Sequence, residues 1–136
     1  MDEIFKIFKD IDLEGIRSMF PGEEDCLKFL AQQKWKDGFV CRKCGHRNYC
    51  EGRTPSSRRC TRCKHEESAK AHTIFHHCRL PLPEAFALAS VICRNPGISS
   101  YELARNLNLR QMTCWKLRKK IEECQQLLEK QNYSEI

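Results

Sequence analysis

Apolar residues stand at Ile4, Phe5, Phe8, Ile11, Ile16, Met19 and Phe20. This spacing predicts short helix or turn over 3–8 and 11–20, closed by Pro21-Gly22. Glu23-Glu24-Asp25 then sets carboxylates at the positive end of a new helix. Cys26, Leu27, Phe29 and Leu30 form its inner side, and it stops near Asp37-Gly38. Phe39-Val40 reads as a strand, Arg58-Arg59 as a second, and 67–75 as a return strand, with the turn-rich run 52–57 between.

A different pattern begins at Pro81 and Pro83, which suit the first turn of a helix and disfavour helix in the residue before. Ala85, Phe86, Leu88, Ala89, Val91, Ile92 and Cys93 predict a buried helix that ends at Asn95-Pro96-Gly97. Ser99 to Glu102 has the spacing of a capping box, so a second helix runs from there to about Asn106. A third extends from about Gln111 through Leu128, with Cys114, Leu117, Ile121, Cys124 and Leu128 at steps of three and four. The expected class is α+β, mainly helical. Its parts are an N-terminal helical segment at 1–37, a small ribbon at 38–79, a helix-turn-helix unit at 80–130 and a flexible tail at 131–136.

Ten cysteines sharpen the picture of the middle segment. Cys41 and Cys44 form one CxxC pair and Cys60 and Cys63 a second, with 15 residues between the pairs. Two such pairs at this distance fit a four-thiolate zinc site, because each tight turn aims two sulfurs inward and supplies half of a tetrahedron. With four protein ligands the ion keeps no open position, so zinc here is structural and not catalytic. A thioredoxin-like redox pair fits poorly, since there are two pairs and no βαβ pattern. An iron–sulfur cluster stays open as a rival. His46, His65, His72, His76 and His77 are read as non-ligands, the last three covering a surface or approaching phosphate, with Cys50 and Cys78 as possible substitutes. The other scattered thiols, Cys26, Cys93, Cys114 and Cys124, are expected to be small buried residues, as are Cys50 and Cys78 when they do not ligate.

Charge is uneven along the chain. Residues 1–33 hold 4 basic and 8 acidic groups, whereas 34–79 hold 12 basic and 4 acidic ones. A basic middle favours a polyanion partner, because phosphate neutralisation releases condensed counterions. Segment 98–121 has the spacing of a helix-turn-helix. Ala104 allows close approach of its two helices, Leu103, Leu107, Leu109, Cys114 and Leu117 form their shared face, and Asn108 takes the turn position that needs a left-handed residue. Arg110, Gln111, Met112, Trp115, Lys116 and Lys119 then face outward. Arg110 and Gln111 suit guanine and adenine edges, and Lys116 and Lys119 suit phosphate. Trp115 either packs on the preceding helix or lies against a sugar-phosphate backbone. Arg58, Arg59 and Arg62 beside the second CxxC pair complete the candidate DNA contacts. The partner implied is double-stranded DNA.

No apolar run approaches the roughly 18 residues of a membrane span, and the start has no secretory pattern, so a cytoplasmic, nucleoid-associated place is expected, with no membrane partner. The absence of a phosphate-cradling glycine loop, an open metal site or a nucleophile motif argues against an enzyme and a small-molecule substrate.

The succession Cys26-Leu-Lys-Phe-Leu, Trp35-Lys-Asp-Gly-Phe-Val-Cys-Arg-Lys-Cys-Gly45, Arg59-Cys-Thr-Arg-Cys63, Thr73-Ile-Phe, Leu80-Pro-Leu, Gly97-Ile-Ser, Glu102-Leu-Ala-Arg-Asn-Leu and Cys114-Trp resembles the N-terminal region of zinc-ribbon insertion-sequence transposases over about 5–125. The resemblance implies binding of transposon-end DNA, with strand transfer assigned to a following RNase-H-like domain carrying three metal-binding carboxylates. No such domain is expected within these residues. The chain departs from the pattern at His72 and Asn108, where glycine is usual, at Phe86 for tryptophan and at Cys114 for alanine. The expected function is therefore zinc-dependent DNA binding without catalysis, as a homodimer or beside a partner transposase subunit. The alternatives are a transcriptional regulator reusing this region and a zinc-ribbon protein-interaction adaptor.

Overall fold

The computed structural model describes the backbone of residues 2–134 and the side chains of 4–128. Its elements in chain order are α1 (Asp2–Asp10), α2 (Leu13–Met19), α3 (Glu23–Lys34), β1 (Tyr49–Glu51), β2 (Arg58–Cys60), β3 (Glu66–Glu67), α4 (Leu82–Arg94), α5 (Ser100–Leu107) and α6 (Gln111–Ser134). The α+β, mainly helical class expected from the sequence is the one observed. No described helix is long and apolar enough to cross a membrane.

Helix α4 is the centre. Leu82, Ala85, Phe86, Ala87, Leu88, Ala89, Ser90, Ile92 and Cys93 are all buried, as expected of a helix that is apolar nearly all round. Helices α1, α2, α3, α5 and α6 all touch it. The Phe86 ring meets Phe8, Phe20, Phe29 and Phe75 at centroid distances of 5.3, 5.0, 5.9 and 5.0 Å. Most of these pairs are edge-on, the geometry that ring quadrupoles favour. The one polar side chain buried along α4, Ser90, brings its hydroxyl within 3.3 Å of Phe8 O and 3.2 Å of Ile11 O. It thereby serves carbonyls at the end of α1 that would otherwise lack a partner. The N-terminal helices and 80–130 thus share one core.

Helix ends follow the sequence closely. Asp12 caps α2 by accepting the Gly15 N–H at 2.8 Å, and Ser99 caps α5 by accepting the Glu102 N–H at 3.1 Å. Asn108 ends α5 at φ 54 and ψ 49, the left-handed conformation expected at that turn. Leu103, Cys114, Leu117 and Ile121 close the interface between α5 and α6 with Ala104, Leu107 and Leu109 packed at its edge. Helix α6 continues past Leu128 to Ser134. The tail expected at 131–136 therefore overlaps the helix over 131–134, and 135–136 lie outside the described residues.

The ribbon departs from expectation in two places. Phe39-Val40 is not a strand: no segment pairs with it, and the Phe39 ring is instead buried 5.9 Å from Trp35 and 5.3 Å from Tyr49. Strand β1, which the sequence reading missed, pairs antiparallel with β2 through Tyr49↔Cys60, Cys50↔Arg59 and Glu51↔Arg58. The return strand expected over 67–75 shrinks to Glu66–Glu67, paired with Arg59 and Arg58. Beyond it the chain coils through turns closed by His76 N–H to Thr73 O and Cys78 N–H to Phe75 O, both 3.0 Å. These turns drive Ile74 and Phe75 into the helical core. Among the scattered cysteines, Cys26, Cys93 and Cys114 are buried as expected, and Cys78 and Cys124 are half-buried. Cys50 is a correction: it is exposed, because β1 is an edge strand open along its length.

One ionic junction fastens the ribbon to the helices. Glu67, almost fully buried, holds Lys34 Nζ of α3 at 2.8 Å through one carboxylate oxygen and Arg42 Nε at 2.5 Å through the other. The Arg42 contact is an ion pair without an aligned hydrogen bond. Lys34 also donates to Ser68 O at 2.9 Å and Ala71 O at 2.6 Å. Burial pushes the Lys34 ammonium below its ordinary range, against the pull of Glu67. Removing one partner from a buried pair strands the other, at a cost of about 3 kcal/mol. Glu67→Gln should lower the unfolding free energy of the metal-loaded protein by that order in a urea titration. Asn108→Gly should leave stability unchanged or raised, and Asn108→Ala should lose about 1 kcal/mol, because only the former fits a positive φ without strain.

Candidate metal centre and basic groove

The two CxxC turns fold alike. In the first, Gly45 N–H donates to Cys41 O at 2.9 Å and Cys41 N–H to His46 O at 2.9 Å. In the second, Lys64 N–H donates to Cys60 O at 3.1 Å and Cys60 N–H to His65 O at 2.9 Å. Both turns need a positive φ at the residue after the second cysteine, +80 at Gly45 and +67 at Lys64. Gly52 has a steric role: a Cβ there would overlap the Glu66 carboxylate and Ser57 hydroxyl that close the 52–57 loop. The Glu66 carboxylate is held below its ordinary range, first by the Arg53 N–H and then by the Ser57 hydroxyl.

The four sulfurs converge within 4.8 Å of one another. Cys41 and Cys63 stand 3.5 Å apart, and Cys44 and Cys60 stand 3.6 Å apart, too far for a disulfide. A zinc ion bound by four thiolates at about 2.3 Å needs sulfurs about 3.8 Å apart, a spacing close to that of these two pairs. Burial raises the Cys60 thiol, but the N–H groups of Cys63 and Arg62, 3.5 and 3.4 Å from its sulfur, outweigh this and bring it to about 6. At Cys44 the His46 N–H pulls downward, yet burial and the other three sulfurs prevail and raise it to about 11. The first thiolate therefore forms readily, and the last needs a cation to offset its neighbours. No histidine joins the cluster among the described residues, and His46 Nε2 instead meets Thr61 Oγ1 at 3.2 Å.

Away from the ribbon, one groove of about 960 Å³ runs between α6 and the segment 74–79. Arg110, Met112, Trp115, Lys116 and Lys119, which the sequence placed on one outer face, all line it. Trp115 is 44% exposed, with Lys119 Nζ 4.9 Å from its ring centre. The ring thus faces the groove. Gln111 turns the other way and donates its amide to Ser100 Oγ at 3.4 Å, bracing α5.

The three ribbon arginines are not part of the groove. Arg58 is clasped between Tyr49 and Trp35, its guanidinium carbon 4.1 and 4.7 Å from their ring centres. Arg59 is half-buried and Arg62 is exposed on the metal-binding turn.

Sequence reasoning missed Arg79 and Lys120, which also line the groove, and of the three histidines expected to cover a surface or approach phosphate it is His77 that stands there. Lys120 carried a legible signal, lying one turn beyond Lys116 on the same helix. Arg79 did not, because it arrives from a coil. Burial disfavours the proton on neighbouring His76, and His77, His72, Lys120 and Lys34 add to the effect.

This architecture, one CxxC turn before the β1–β2 hairpin and a second between β2 and β3 of a three-stranded antiparallel sheet, defines a zinc-ribbon type of domain. Residues 21–66 match the family described as the transposase zinc-ribbon domain, a stretch that takes in α3, both CxxC turns and the start of β3. No curated protein matches the chain, and no solved structure does.

Metal analysis of reduced protein should find one ion per chain, and Cys60→Ser should lose it. Chelation should abolish amide protection across 38–67, since four-thiolate sites of this kind contribute on the order of 10 kcal/mol. Gly45→Ala should weaken metal retention by about 1 kcal/mol, a purely conformational cost because no atom lies within 4 Å of the added Cβ.

Proposed function

We propose that this chain is a zinc-dependent protein that binds double-stranded DNA, a DNA-binding unit of transposase type that performs no strand transfer of its own. One observation carries the reading. Arg79, Arg110, Lys116, Lys119 and Lys120 all line one groove beside α6, and among the described residues Glu123 is the only carboxylate that lines it. The zinc-ribbon match to a transposase family supports the biological setting.

In this reading zinc is structural. Its four sulfur ligands fill a tetrahedral sphere, so the ion serves to hold the ribbon and, through Arg42, Glu67 and Lys34, to fix α3 and the segment after β3. Helix α6 is the recognition helix. Its N-terminal turn brings Arg110 and Met112 toward base edges in the major groove, Arg110 matching a guanine edge. Lys116 and Lys119 meet phosphates, and Trp115 lies against the sugar-phosphate backbone. The protein works in the cytoplasm on the nucleoid.

Titration of labelled duplexes at several salt concentrations tests this. Affinity should fall steeply with salt, by about 0.9 in logarithmic slope per phosphate contact. Lys116→Ala should remove about one such increment, whereas Arg110→Ala should alter base preference in a selection from random and genomic duplexes. Failure to bind duplex, or binding indifferent to salt, would end the proposal.

A further inference from the structure

A helix about 10–12 Å across fills a major groove about 12 Å wide, so a docked recognition helix has a sugar-phosphate strand along each flank. On one flank of α6 the protein surface is not open. The segment 72–79 rises beside the helix, and the groove between them carries cations on both walls: Arg110, Lys116, Lys119 and Lys120 from α6, and Arg79 from the segment. His77 adds an imidazole on the second wall.

That wall is rigid. Ile74 and Phe75 anchor it in the core. Lys120 Nζ ties it to α6 by donating to His76 O at 2.6 Å, Lys70 Nζ donates to Cys78 O, and His72 N–H donates to His76 Nδ1 at 2.9 Å. His72 and His77 hold φ of +59 and +61, conformations that a non-glycine residue adopts only when its surroundings impose them. The rings of His76 and His77 lie tilted against each other with centroids 4.0 Å apart, which bears on where the second imidazole stands. Arg79 is exposed, and no carboxylate of the described residues pairs with it.

We propose that the segment 72–79 is the second jaw of a phosphodiester clamp: one strand of the duplex seats between it and α6, with Arg79 and His77 gripping backbone phosphates opposite Lys116 and Lys119. The proposal rests on the DNA-binding reading above and adds to it a site outside the helix-turn-helix. A jaw that touches only phosphate contributes affinity without sequence information, so its loss has a signature that base contacts do not share.

The test uses the zinc-loaded full chain with two duplexes, one selected for tight binding and one of random sequence, across a salt series. Arg79→Gln changes an exposed, unpaired side chain. His77→Asn keeps a residue that tolerates a positive φ, and unchanged metal content verifies both folds. Arg79→Gln should weaken both duplexes alike, by about tenfold, and lower the salt slope by about 0.9. His77→Asn should weaken both alike by a few fold. Unaltered affinity and slope in Arg79→Gln, with Lys116→Ala still impaired, would overturn the clamp and leave the DNA-binding reading standing. Loss confined to the selected duplex would overturn it too, by marking Arg79 as a base contact. A wild-type protein that binds neither duplex would overturn both.

Discussion

Four cysteine sulfurs within 4.8 Å of one another cannot all carry charge unless a cation sits among them, and the ribbon has little else to hold it. Its strands are three, three and two residues long, far below what a sheet needs to persist in water by itself. Backbone N–H groups aimed at Cys60 ease the first ionisation, while at Cys44 the crowd of sulfurs resists the last. A cation held among the four sulfurs would resolve that conflict and would hold the hairpin loop, the sheet and the two CxxC turns together.

What lies next to the metal explains why a local site has reach. Arg42 sits inside the first CxxC turn and pairs with Glu67, which in turn holds Lys34 of α3, and Lys34 caps the carbonyls of Ser68 and Ala71. The Arg58 guanidinium, clasped by Trp35 and Tyr49, makes a second tie across the same boundary. The chain leaves this junction directly into the coil that carries Phe75 to the Phe86 ring and His77 and Arg79 to the groove. Cysteine cluster, junction, coil and α6 are thus mechanically continuous, and the coil is placed from both ends.

Several turns are closed by residues other than glycine. Lys64, His72, His77 and Asn108 all have φ between +54 and +67. Two of them, His72 and Asn108, hold a conformation that glycine would adopt without strain. At His72 the side chain has a use that glycine could not supply, since its ring packs edge-on against His76 at 5.2 Å and approaches Glu67 at 3.9 Å.

Local patterns determined much of this protein. The spacing of four cysteines picked out the sulfurs that converge, because two short turns suffice to aim them. The prolines and the run from Ala85 to Cys93 predicted the central helix, and Ser99 and Asn108 marked the bounds of α5, because caps and turns are settled by neighbours in sequence. Other features were decided only when distant segments met. Phe39 is buried by Trp35 and Tyr49 instead of joining a strand, since edge pairing depends on a partner that periodicity cannot name. Residues after Glu67 coil because Ile74 and Phe75 are drawn into the helical core. Arg58 is committed to two aromatic rings, whereas Arg79 and His77 reach the groove from a coil with no repeat to reveal their direction. Sequence spacing governs what a segment does with its own backbone; tertiary packing governs which side chains remain to meet a partner.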